Sequence, residues 1–537
     1  MARLNAALLA FNRGRISPLA LARTDIERVA LSAEIQTNWM PRILGSMMLR
    51  PGFGYLNSTY TNARSISLNF IYALSDQAEI ELTANAMRVL VDDVVITRPS
   101  VSSTIANGTF DSNLTGWTDA DESGAVSQWV SGGYMGLTGT ETNSAIRTQQ
   151  VAVAGANISV EHGVRVKINR GVVKFKIGST SGGEEYVSEA TLREGEFSFA
   201  FTPTGDFYIS VSSSTAYESL VDSITIEFAG DMVIPTAWGL SDLSNIRYDQ
   251  SGDIVYVACD GVKQYKIERR STRSWGVAEY LSEDGPFRPA NITPTTIAAS
   301  AISGTITLTA SKSIFKSTSV GALYRITSTG QTVTSSIAAQ NTFTDPIRVT
   351  GVGASRTFTV NISGTWAATV SLQRSIGDTS SWEDTGTTYA ANTVVTFADG
   401  LDNQIVYYRL GVKTGNYTSG TVVASLVYSL GSNAGVARIT AYSSGTSVSA
   451  IVLEDLGGTA ATDNWEEGYW SPRRGYPSAV VFSEGRLWWA GKDNMFGSVS
   501  DAFESYDDTI EGDSGPIVRS LGSGPVDRIN WLLSLQR

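Results

Sequence analysis

The densest set of ionisable side chains is an acidic stretch in which Asp501, Glu504, Asp507, Asp508, Glu511 and Asp513 lie close together. Paired carboxylates can cleave glycosidic bonds or hold calcium, provided that their separation is fixed. This stretch lacks the Asp-x-Asp-x-Asp-Gly spacing of a calcium loop, so a solvated acidic loop is the expectation, with no catalytic, metal or cofactor site assigned. A second candidate is aromatic. Trp117, Trp129 and Tyr134 can stack against sugar rings, or else fill a core and cover its edge. Nucleophilic chemistry has little to draw on: His162 is the single histidine and Cys259 the single cysteine. Triads and multi-histidine metal sites need imidazole, and Cys259 sits in the apolar run Ile254-Val-Tyr-Val-Ala-Cys259, where a buried thiol is inert. No Gly-x-x-x-x-Gly-Lys-(Ser/Thr) phosphate loop occurs. Arg486, after Gly485, is read as a buried fork for carbonyls or a carboxylate. The chain is therefore expected not to be an enzyme.

The elements that position these residues are mostly strands. A chain of 537 residues exceeds the size at which a single core stops growing, so several domains are expected. The apolar fraction of 42% and the charged fraction of 17% suffice for cores without metal or disulfide. Apolar runs such as Ala479 to Phe482 are far too short to cross a bilayer. Around Ala6–Phe11 the apolar stretch is short and no Ala-x-Ala-like site follows before Pro18, so no leader is expected. The net charge of −12 argues against a phosphate-gripping surface. It is compatible with a channel wall along which DNA slides.

One early segment has helical period: after Ser17, a plausible N-cap, and Pro18, Leu19, Ala22, Ile26, Val29, Ala30 and Ala33 recur at intervals of three and four. From Arg50-Pro-Gly-Phe-Gly-Tyr55 onward, short β-type runs alternate with Gly, Ser, Thr and Asn. With 51 Gly and 14 Pro, a multidomain all-β chain is expected. Two segments read as sandwiches set into a host. The first opens at Asn107-Gly-Thr-Phe-Asp111 and Gly116-Trp117 and closes at Leu220–Phe228. It resembles jelly rolls of the carbohydrate-binding-module type. The second, with Trp366, Trp382 and Val406-Tyr-Tyr-Arg-Leu410, is similar to a small fibronectin- or immunoglobulin-like sandwich, and its two tryptophans are read as core.

The host segments carry a further resemblance. Phe11-Asn-Arg-Gly-Arg-Ile-Ser-Pro18, Arg23-Thr-Asp25, Asn38-Trp-Met-Pro41 and Arg50-Pro-Gly-Phe53 follow the order of the opening of podophage tail nozzle proteins, the tail tubular protein B family, with Arg15 where Glu is common. Asn245–Val257, Asp284-Gly-Pro-Phe287 and Gly475–Trp488 are similar to later family segments. The resemblance marks Ser17, Pro18, Arg23, Asp25, Arg50, Pro51 and Gly52 as assembly or fold residues. It implies a mainly β, multidomain chain with a platform, a partial β-propeller, two inserted sandwiches and one short N-terminal helix. Expected segments are residues 1–100 (helix and platform), 101–230 (jelly-roll insert), 231–345 (host), 346–430 (sandwich insert) and 431–537 (propeller blades). It also implies a structural virion protein, made in the host cytoplasm, that forms a tail ring for DNA ejection. Expected partners are its own copies in a cyclic ring (a hexamer), the portal and head–tail adaptor, tail fibres or needle, and genomic DNA passing without sequence-specific binding. Because Ile529–Arg537 looks like the start of a further blade, the missing blades are expected either from a second chain completing the propeller or from a continuation of this sequence. The rival class is a receptor- or glycan-binding tail protein, or a depolymerase.

Overall fold

The computed structural model describes residues 10, 12–23, 25–73, 76–377, 379–510, 512–522 and 528–535. Phe11, Thr24, Glu511, Gln536 and Arg537, and most of the Met1–Arg15 stretch, lie outside the described residues. The chain is mainly β and multidomain, with several sheets. It divides into two units, residues 1–58 and 59–537.

In the first unit, the expected helical segment is broken into short pieces. Pro18–Ala20 forms a 3-10 turn and Glu27–Ala30 a four-residue α-helix, the single α-helix among the described residues. Short helices depend on burying an apolar face, and none of the described residues up to Ser58 is buried. A hairpin pairs Trp39–Pro41 with Met47–Leu49.

The second unit begins with a platform sheet of Ile66–Ala73, Asp76–Thr83 and Ala86–Val91, joined by Ile234–Pro235. Leu68, Phe70, Ile80 and Leu82 alternate toward one core, as strands with one buried face require. That core is completed by Val255, Val257, Cys259, Trp275 and Val277 from a four-stranded meander. Its strands are Arg247–Ser251, Ile254–Cys259, Val262–Ser271 and Ser274–Glu279.

Between platform and meander lies a sandwich. One of its sheets runs Val187–Leu192, Val173–Gly178, Phe207–Ser213, Ala145–Val151 and Thr118–Asp119. The facing strands are Gly195–Phe201, His162–Arg170, Ser219–Ile226, Tyr134–Thr138 and Val126–Val130. Phe110, Trp117, Phe175, Phe199 and Phe207 are among the side chains between them. This sheet does not stop at the sandwich: Gly195–Ser198 pair with Ala278–Trp275, making it continuous with the meander.

A further sheet is dominated by Val406–Ser444, a strand of 39 residues. Its first part enters a core with Val360, Leu372, Tyr408 and Leu426; its later part enters another with Leu308, Tyr324, Ile439 and Val448. Leu323–Ile337 pairs along it through both cores, so the first core reaches back to Val333 and Ile337. Trp366 and Trp382 find separate partners. Trp366 donates to Asn392 Oδ1 at 2.7 Å, while the ring of Trp382 stacks on the Arg409 guanidinium. A second meander, Ala479–Ser483, Arg486–Gly491, Asn494–Gly497 and Ile517–Ser520, packs Val480, Leu487, Trp489 and Phe496 against Tyr256 and Tyr280.

Candidate functional site

In the sandwich, Trp117 is buried at 4% exposure, donating to Asn107 O at 3.3 Å and meeting Phe110 edge-on. Trp129 lies on the edge strand at 38% exposure, its indole nitrogen 2.7 Å from Phe110 O. The hairpin register pairs Trp129 with Met135 and Tyr134 with Val130. Directly paired residues share a face and successive residues alternate. Trp129 therefore shares the core face with buried Met135, and Tyr134 points from the opposite face. The three aromatics are not gathered into one sugar-stacking platform.

Ion pairs and local hydrogen bonds occupy much of the acidic stretch. Glu504 meets Lys266 at 2.5 Å, Asp508 takes both terminal nitrogens of Arg325 at 2.6 and 2.9 Å, and Asp507 accepts from Thr509. Lys266 and Arg325 stand more than 180 residues away in sequence, so these carboxylates tie the loop to the body. Glu511 lies outside the described residues. Arg486 donates to the carbonyls of Ser498, Gly515 and Asp513, which fixes the loop from beneath. No group of three or more His, Cys, Asp or Glu suited to a metal occurs among the described residues.

His162 is fully buried between Ser103 Oγ and Val160 O, both at 2.9 Å, and burial lowers its pKa. Burial pushes the Cys259 thiol up to about 12, which removes it from thiolate chemistry. A cavity of about 270 Å³ is bordered by Glu194, Gln264, Tyr280, Arg438, Trp470 and Tyr476. Burial raises the pKa of Glu194. Two donors there, Gln264 Nε2 and Trp470 Nε1, lack a partner but are closed off from solvent, so neither offers a contact to an entering ligand.

The N-terminal motif residues mostly bond to one another. Ser17 Oγ accepts from Leu19 N at 3.4 Å, with Pro18 at the first position of the 3-10 turn. Arg23 grips Asp25 through two bonds of 2.9 and 2.8 Å, and the guanidinium holds that carboxyl below its usual range. Arg50 donates to Asn38 Oδ1 at 2.7 Å, closing the Trp39–Leu49 hairpin, and its guanidinium lies 4.0 Å from the centre of the Phe53 ring. Pro51 and Gly52 lie exposed in a stretch without helix or strand, and a Cβ on Gly52 would meet nothing within 4 Å. The sequence did not single out Asn38 as the partner of Arg50, although both stand in its motifs.

No protein-family model and no curated protein matches the chain. Among solved structures, the N-terminal CBM22-1–CBM22-2 tandem domain of Paenibacillus barcinonensis Xyn10C aligns at 11% identity and a TM-score of 0.17, over 69% of this chain and 99% of that one. AerE from Microcystis aeruginosa aligns at 6% identity and 0.10, over 68% and 97% of the two chains. Vicilin from hazelnut, Corylus avellana, aligns at 7% identity and 0.10, over 60% and 87%. Scores this low establish no common fold. The chain is a mainly β, multidomain protein in which no helix among the described residues is long and apolar enough to cross a membrane.

Proposed function

We propose that this chain is a structural protein of a short-tailed phage virion, a subunit of the nozzle ring through which DNA leaves the particle. The observation that carries the reading is the N-terminal unit. Its motifs stand in the order of the nozzle family, and the paired residues Arg23–Asp25 and Asn38–Arg50 serve to shape the segment and not to present a reactive group. A wall role is consistent with the net charge of −12 and with an acidic loop engaged in ion pairs. In this reading the copies close into a six-membered ring below the portal and adaptor, with fibres or needle attached and DNA sliding through the lumen. On the same reading, the outer face of the second meander, where Ile529 and Leu532 pack while Trp531, Leu533 and Leu535 are exposed, is where a further blade joins.

A reconstruction of the particle tests this directly. Six-fold density for the chain around a lumen is the expected result. A trimeric spike, or release of reducing sugar from host polysaccharide by the purified chain, overturns it in favour of the receptor-binding or depolymerase class.

A further inference from the structure

Residues 1–58 differ in chemistry from the rest of the chain. They hold seven arginines and no lysine against Asp25, Glu27 and Glu34, a net +4; the whole chain carries −12, which leaves −16 for residues 59–537. No described residue of this unit is buried, and Leu19, Ile43 and Leu44 are 95%, 95% and 97% exposed. A segment that leaves so much apolar surface in water stabilises itself poorly, and surfaces of this kind mark contacts. The turn of the Trp39–Leu49 hairpin brings together Arg42, Ile43 and Leu44. Arg42 makes no ion pair among the described residues; its Nε donates only to Met48 Sδ.

The platform sheet offers a surface of matching character. A groove of about 540 Å³ on it is bordered by Ile71, Glu79, Leu90, Asp92 and Asp93. Ile71 is exposed, and neither Asp92 nor Asp93 makes an ion pair among the described residues. Residues 51–58 are exposed and without helix or strand, and eight such residues reach up to about 26 Å.

We infer that the hairpin turn at Arg42–Leu44 is an exchange arm that docks into the Ile71–Asp93 groove of a second copy of this chain. Ile43 and Leu44 pack on the exposed Ile71, and Arg42 faces Asp92 and Asp93. Opposite charges on two surfaces that every copy carries favour association of copies and raise its rate at low salt. The contact is heterologous, arm to groove, the type that repeats around a ring. The inference rests on the nozzle reading only for closure into that ring; the docking itself stands apart from it.

The test uses two full-length variants. Ile43→Glu with Leu44→Glu spoils the arm and keeps the groove; Asp92→Arg with Asp93→Arg spoils the groove and keeps the arm. All four positions are exposed, Asp92 and Asp93 sit at φ of 50° and 65°, where Arg adds backbone strain, and circular dichroism checks that each variant folds. By sedimentation velocity, wild type should associate, with more than a tenfold weakening between 50 mM and 500 mM salt. Each variant alone should be monomeric, and an equimolar mixture should form dimers, because the intact arm of one meets the intact groove of the other. A monomeric wild type overturns the inference. Association that survives in either variant, or a mixture that remains monomeric, also overturns it. Arm exchange in solution without a six-fold ring in the particle defeats the nozzle reading alone.

Discussion

The meander at 247–279 and the one at 479–520 place similar strands second in order, Ile254–Cys259 and Arg486–Gly491, yet the first lies between two large apolar clusters and the second between a large one and a small one. Val255, Val257 and Cys259 face the platform core, while Tyr256 and Ala258 face the second meander. The second meander buries Leu487 and Trp489 in that shared core. Its other face has Ala479, Ala490 and Ile529, a much thinner layer. Their edges differ as well. Ser274–Glu279 of the first meander is paired to the sandwich strand Gly195–Phe201, whereas Ala479–Ser483 of the second has no strand beyond it among the described residues. Backbone pairing plus two buried faces makes the first meander a fixed centre, and the second is held mainly through side chains.

Several substitutions break or sharpen this difference. The largest effect is expected at the base of the sandwich, where Arg98 meets Glu227 at 2.6 Å, Glu161 at 3.1 Å and Ser198 at 2.8 Å, and Arg165 meets the same Glu227. Burial opposes ionisation of Glu227, but Arg165 and Arg98 outweigh it and hold the carboxyl below its usual range. Arg98→Ala strands buried acids and should cost about 3–5 kcal/mol in denaturant unfolding. Hydrogen exchange should rise in the sandwich and first meander and not in 479–520; a uniform rise would erase the distinction. Next is the seam itself: a Cβ on Gly276 would lie 2.3 Å from Phe197 Cδ1. Gly276→Ala should cost roughly 1–3 kcal/mol through overpacking, with exchange at Phe197 and Gly276 as the local readout.

On the second meander, Ser478 Oγ donates to Ile529 O at 2.6 Å. Ser478→Ala should cost about 1 kcal/mol and loosen residues 528–535 without disturbing the first meander. The smallest effect is expected where the sandwich approaches the long-strand sheet. Desolvation, with Glu141, Asp345 and Glu454 nearby, pushes Asp455 up to about 6 from 3.8. The folded state therefore binds the proton more tightly than the unfolded state, and this group's contribution falls as pH rises from about 4 to about 6. Asp455→Asn should raise the melting temperature at pH 7.5 by about 1–2 °C, a small value because the side chain is open to solvent screening. The gain should vanish near pH 3.5. A gain of equal size at both pH values would show that charge is not its cause.

Strand runs such as Ile254–Cys259 and Phe197–Phe201 were legible because β-branched and aromatic residues cluster between turn residues. The helical period after Ser17 was legible too, but the helix contracts to Glu27–Ala30 because periodicity encodes a face and cannot supply the surface that covers it. The aromatic site turned on a register. With Val130 opposite Tyr134, Trp129 goes to the core face, and a one-residue slip would have reversed it. The acidic stretch hid its partners for another reason: Arg325 and Lys266 come to it from distant strands, and no local spacing announces such contacts.

The strand Val406–Ser444 and its partner Leu323–Ile337 run through two cores without a connecting loop between them, and the register shifts once, between Thr329 and Gln331. A flexible linker lets a domain swivel and lose any pull applied to it. A shared ladder carries tension from one end to the other along the backbone, and bending concentrates at the single irregularity. Load placed on the core around Val360 and Leu426 should thus reach the core around Leu308 and Ile439 as shear across many hydrogen bonds at once, the geometry that resists rupture better than unzipping them singly.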